Sequence, residues 1–221
     1  KVQKKSALAL ITLLDFNKDV FISMIVMSKL VENLFSLLDN AHTRPEKDLL
    51  LELLLIFKSL LSTGEGFLVD AIYSKNGIPR IIGLLDHKTP ALQHVAMECV
   101  MELAYHGTVE VVKKMLELEV IKKLANLQKT NTHVICAQNS HMEMLAQLER
   151  DPSLYSHDNH SLNYYPFVDA VMKFTLHFAS GTGLRQRERH ALKQEVIKQI
   201  KDIVDDDVQS ANITTEILWA F

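Results

Sequence analysis

The stretch Gly66-Phe67-Leu68-Val69 through Asn76-Gly77-Ile78-Pro79-Arg80-Ile81 returns 43 residues later as Val109-Glu110-Val111-Val112 through Glu119-Val120-Ile121-Lys122-Lys123-Leu124. The register holds without a gap, from Leu49 paired with Leu92, through Leu60 with Leu103 and Ile72 with Met115, to Leu84 with Leu127. A period of this length is the signature of a helical solenoid. In such a chain one short unit cannot bury its apolar face alone, so successive units stack and share a continuous core.

The repeat extends in both directions. Leu13, Phe21, Ile22, Ile25 and Val31 lie 90 residues before Leu103, Val111, Val112, Met115 and Ile121, which places 4 additional residues in the connection between Leu37 and Lys47. Downstream, Pro166-Phe167-Val168 through Glu195-Val196-Ile197-Lys198 matches Pro90-Ala91-Leu92 through Glu119-Val120-Ile121-Lys122 at an offset of 76, so the equivalent connection between Leu127 and Pro166 is longer by 33 residues. Insertions at equivalent connections project from one edge of a solenoid. Ser6 to Leu14 aligns with the end of a third helix, so an amino-terminally truncated repeat is expected, with any catalytic module upstream of Lys1 invisible.

Punctuation within the unit is helical. Asn76-Gly77 breaks the chain, Pro79 suits a first helical turn, and Thr89-Pro90 reads as an N-cap followed by Pro at the first helical position. Leu92, Val95, Ala96, Cys99, Val100, Leu103 and Ala104 recur at the three-and-four spacing of a buried helical stripe. The expectation is three helices per unit: a long one over 90–106, a short one over 108–117 and another over 119–127.

At this point the chain resembles the armadillo-repeat family. Asn76-Gly77-Ile78-Pro79-Arg80-Ile81-Ile82-Gly83-Leu84-Leu85 looks like the opening of that family's second helix, and Ala96 to Ala104 looks like its third, with the likeness covering roughly 1–127 and 166–205. The resemblance implies an all-α, right-handed armadillo-like α-solenoid of about four three-helix repeats, a single domain over 1–221 with an insertion at 128–165 in the third full repeat. HEAT-type repeats are the near neighbour. Armadillo proteins that hold extended peptides present a Trp and, four residues later, an Asn on the third helix. The matching pairs here are Leu8 and Thr12, Leu55 and Ser59, Glu98 and Glu102, and Phe174 and Phe178, so that peptide mode does not carry over.

Composition bounds the remaining classes. A net charge of −3 over 221 residues gives no general attraction for nucleic acid or an anionic membrane. The apolar runs Val20 to Leu38 and Leu49 to Leu61 are interrupted by Lys29, Glu32, Glu52 and Lys58, unlike a spanning helix of about 20 apolar residues. Two widely separated cysteines, Cys99 and Cys136, point to a reducing compartment, cytoplasmic or nuclear.

His94, Glu98, Met101, Glu102 and Tyr105, together with Phe174 and Phe178, are the candidate lining of a partner-binding groove, suited to a helix or peptide with a basic side. In the insertion, 139–150 reads as a short helix stopped by Asp151-Pro152. His133, Cys136, His157 and His160 have a spacing a zinc site could use but match no named pattern, and solvated histidines are the preferred reading. Arg185, Arg187, Arg189, Lys193, Lys198 and Lys201 follow Gly181-Thr182-Gly183 without a P-loop signature, and Asp205-Asp206-Asp207 offsets their charge. Ile213, Ile217, Leu218, Trp219 and Phe221 read as a closing helix or the start of another unit.

No nucleophile with a paired base, acid pair in a loop or Gly-rich cradle qualifies for catalysis. The sequence therefore reads as a non-enzymatic protein-interaction scaffold or adaptor without a cofactor. The competing readings are the substrate-recruiting repeat region of a larger ubiquitin-ligase-type protein, and a phosphate or membrane-surface binder using 185–201.

Overall fold

The computed structural model describes Ala9, Thr12 and residues 30–43, 47–64, 66–129 and 170–204. Among these residues every regular element is helical, with no strand. In chain order they are α1 (Leu30–Thr43), α2 (Lys47–Leu61), α3 (Gly66–Ser74), α4 (Gly77–Gly83, running into a 3-10 turn at Leu84–Asp86), α5 (Pro90–His106), α6 (Val109–Glu117), α7 (120–129), α8 (Ala170–Ser180) and α9 (Gln186–Val204). The expected helix at 139–150, the four-residue histidine and cysteine set, and the closing helix near Trp219 all lie outside the described residues.

Helix α5 shows how the sequence sets these boundaries. Thr89 is extended (φ −95°, ψ 115°), and its carbonyl accepts from the N–H groups of Leu92 and Gln93. Pro90 follows at a position where a missing N–H costs nothing. At the other end the Gly107 N–H donates to the Leu103 carbonyl, and the chain leaves in an extended conformation. The buried stripe predicted from Leu92 to Ala104 is present and broader than expected, because Met97 and Met101 are buried as well. A helix with neighbours on two flanks needs a wider apolar arc than one lying on a single partner.

Those flanking neighbours are α2 and α8, against which α5 makes its most extensive packing. The ion pair Lys58–Glu98 and the hydrogen bond Ser62–Glu102 advance together along the two helices, so α2 and α5 run in the same direction. Phe57, Leu60, Cys99, Leu103, Phe174 and Phe178 fill the shared interior, each large apolar side chain contributing about 1.5–3 kcal/mol by leaving water. The Cys99 thiol points at the Leu54 carbonyl at 3.7 Å, and burial pushes its pKa well up, which makes it a packing residue and not a reactive thiol.

Two residues that the 43-residue offset aligns share a backbone conformation. Asn76 (φ 55°) and Glu119 (φ 53°), 43 residues apart, are both left-handed and both break a first helix from a second. Gly64, Gly107 and Gly183 stand at matching positions after α2, α5 and α8. At Gly183 a Cβ would overlap the carbonyls of His106 and Gly107, so this glycine lets one turn seat directly on the turn before it.

One expectation is corrected. Glu195-Val196-Ile197-Lys198 repeats Glu119-Val120-Ile121-Lys122, yet no break occurs there, and α9 runs straight through Glu195. A left-handed Glu costs about 1–2 kcal/mol and persists only where packing demands the turn. On α9 the buried Leu192, Val196 and Ile200 form one uninterrupted stripe with a spacing of four, and α9 packs on α6 as a single rod. Gln199 also donates to the Leu116 carbonyl at 3.1 Å, tying α9 to the end of α6.

Candidate partner-binding surface

The partly exposed face of α5 carries four of the predicted residues in a polar strip that crosses its neighbours. Glu98 (29% exposed) pairs with Lys58 of α2 at 3.0 Å and with His94 one turn back at 3.7 Å. Glu102 (23% exposed) accepts from the Ser62 hydroxyl at 3.0 Å and lies 3.6 Å from His106 Nε2. Of these carboxylates, expected to face a basic partner, Glu98 is already paired with Lys58 and Glu102 already accepts from Ser62. Their first role is to join α2 to α5.

On the other flank, Tyr105 stacks edge-on against His106 and His177, and its carbonyl accepts from the N–H groups of Thr182 (2.7 Å) and Gly183 (3.1 Å). His106 Nδ1 lies 3.2 Å from the Thr182 hydroxyl. The turn after α8 is thereby fastened to the end of α5. The Thr182 and Gly183 N–H groups are committed to Tyr105, so the Gly181-Thr182-Gly183 turn does not offer them to a phosphate.

Met101, Phe174 and Phe178 do not line this face. They are 4%, 0% and 0% exposed, respectively, and belong to the core. The physical reason is the two-sided packing of α5 against α8, which turns the aromatic face of α8 inward. Sequence reasoning missed Lys58, Ser62, His106, His177 and Thr182. The repeat offset pairs Lys58 with Met101, but the contact is to Glu98, three residues earlier, and that shift belongs to the way neighbouring helices nest.

Burial shapes the electrostatics of the strip. The His94 pKa is lowered from 6.5, chiefly by burial, with Glu98 opposing and Lys58 and Lys173 adding to the decrease. The His106 pKa is also lowered, again chiefly by burial, with Glu102 opposing and His177 adding to the decrease. Both imidazoles are therefore neutral near pH 7.

In the basic segment, the Arg189 guanidinium donates to the Gly181 and Leu184 carbonyls, and the Arg185 N–H donates to the Glu188 carboxylate at 2.8 Å as a helix-entry cap. Arg185, Arg187, Lys198 and Lys201 remain exposed, interleaved with Glu188, Glu195 and Asp202. Among the described residues no group of three or more His, Cys, Asp or Glu is placed to hold a metal, and no helix is long and apolar enough to cross a membrane.

No family model and no curated protein matches the chain. Its fold is similar to crystal structures of engineered proteins determined by the Northeast Structural Genomics Consortium. Two of them are 16% identical, with TM-scores of 0.59 and 0.57, covering 99% and 97% of this chain and 74% and 70% of theirs. A third is 18% identical with a TM-score of 0.59, covering 99% of this chain and 44% of the other. At this identity the likeness is one of fold alone.

Proposed function

We propose that the chain is an armadillo-like α-solenoid acting as a non-enzymatic protein-interaction scaffold, with the strip across α2, α5 and α8 as its partner-binding groove. The 43-residue period, the paired left-handed breaks at Asn76 and Glu119 and the matching glycines support the repeat reading. The observation that carries the functional reading is the side-by-side packing of α2, α5 and α8, which lines up Lys58, His94, Glu98, Glu102 and Tyr105 on one partly exposed face. Such a face is suited to a protein surface that brings a basic group, since Glu98 is already paired with Lys58 whereas Glu102 meets only the Ser62 hydroxyl and a neutral imidazole.

The test separates binding from folding by exchanging a pair. Lys58→Glu combined with Glu98→Lys keeps an ion pair between α2 and α5 but inverts the local field. Affinity purification of the wild-type and exchanged chains, with melting temperature as the folding control, should lose at least one bound protein in the exchanged chain while the melt stays within a few degrees. An unchanged set of bound proteins would remove the groove from consideration.

A further inference from the structure

A second surface lies away from this strip, where the turn between α3 and α4 meets α6. The Tyr73 ring, 42% exposed, and the side chain of Asn76 form one wall of a cleft of about 470 Å3. That volume lies within the usual range for a small ligand or a few side chains of a partner. The opposite wall is the outer face of α6, where Glu110, Lys113, Lys114 and Glu117 follow one another at helical spacing.

The charges here differ from those on the strip in one respect. Lys114 pairs with Glu117 at 3.0 Å, but Glu110 and Lys113 have no ion-pair or hydrogen-bond partner among the described residues. The backbone of Asn76 is left-handed and its amide makes no capping hydrogen bond to α4, so both its donor and its acceptor are uncommitted. An exposed ring, an uncommitted amide, one free anion and one free cation thus converge on a single cleft.

We propose that this cleft binds an extended peptide segment of a partner protein with the order basic–aromatic–acidic. The spacing suits two opposite charges flanking an aromatic side chain. Glu110 and Lys113 are one helical turn apart, about 5–6 Å between their β-carbons, and alternate residues of an extended strand project to one side about 6.6 Å apart. The first and third side chains of the segment reach Glu110 and Lys113, the middle one turns to the Tyr73 ring, and the segment backbone meets the Asn76 amide. This site stands independently of the strip across α2, α5 and α8.

The probe is a pair of blocked synthetic pentapeptides, Ser-Arg-Phe-Asp-Ser and Ser-Arg-Phe-Arg-Ser, titrated into the isotopically labelled full chain and followed by NMR. The first is expected to shift the resonances of Tyr73, Asn76 and α6 and to bind about fivefold more tightly than the second, the ratio of one partly exposed ion pair. Lys113→Glu should invert that preference, and Tyr73→Ala should abolish binding of both. Both positions are solvent-exposed, so both variants should fold, as circular dichroism will verify. Equal affinity for the two peptides, shifts confined to other surfaces, or an unchanged preference in Lys113→Glu would each overturn the proposal.

Discussion

Glu119 is a non-glycine residue held at φ 53° where α6 ends, in the position that usually takes Gly or Asn because a Cβ crowds the following carbonyl there. Its ion pair with Lys122 is 3.6 Å long and largely exposed, too weak to offset that strain. Glu119→Gly is therefore expected to raise stability by about 0.5–1 kcal/mol, read as a higher denaturant midpoint; a lower midpoint would mean that the residue makes an interaction the strain argument omits. Asn76 at the equivalent position is legible from sequence, since Asn-Gly announces a left-handed turn. Glu119 is not, because nothing in the chemistry of a Glu side chain favours that region, and only the burial of Val120, Ile121 and Leu124 on α7 imposes it.

Element boundaries follow the same division. The start of α5 at Pro90 and its end before Gly107 are written in the local sequence, and the periodicity of α6 is equally plain. The continuity of α9 is not, since an identical tetrapeptide breaks in one unit and runs on in another. The joint between α5 and α8 depends on Gly183, seated against the carbonyls of His106 and Gly107. Gly183→Ala is expected to destabilise by about 1–3 kcal/mol through overpacking against backbone that has no side chain to move aside. Thr182→Ala, which removes only a hydroxyl contact to His106, should cost less than about 1.5 kcal/mol. Chemical denaturation of the two variants checks the order, and an equal cost would show the turn to be looser than its geometry implies.

At the level of the whole molecule, the strip makes stability depend on acidity. His94 and His106 have pKa values below 6.5 in the folded chain, so the unfolded chain binds protons first. Stability is then fully present above about pH 6.5 and is lost as pH falls from there through the lowered folded values. The denaturant midpoint measured from pH 8 to pH 5 should decline over the acid part of that range, and His94→Gln with His106→Gln should flatten the decline. A decline of the same steepness in the double variant would place its origin elsewhere. The cost arises from charging two partly buried rings, and the carboxylates of Glu98 and Glu102 beside them offset part of it.

The sequence by itself determined that the described residues are helical, where α5 begins and ends, and that one pattern returns at an offset of 43 residues, because those properties rest on local capping chemistry and on the spacing of apolar side chains along one helix. It also singled out His94, Glu98, Glu102 and Tyr105. The tertiary structure alone decided that Met101, Phe174 and Phe178 are core, that Glu98 and Glu102 spend their charge on α2, and that α9 is unbroken. Each of these depends on which face of a helix a neighbour covers, and on how far that neighbour is shifted along it. A periodic pattern gives the width of a buried stripe but not the number of helices that press upon it.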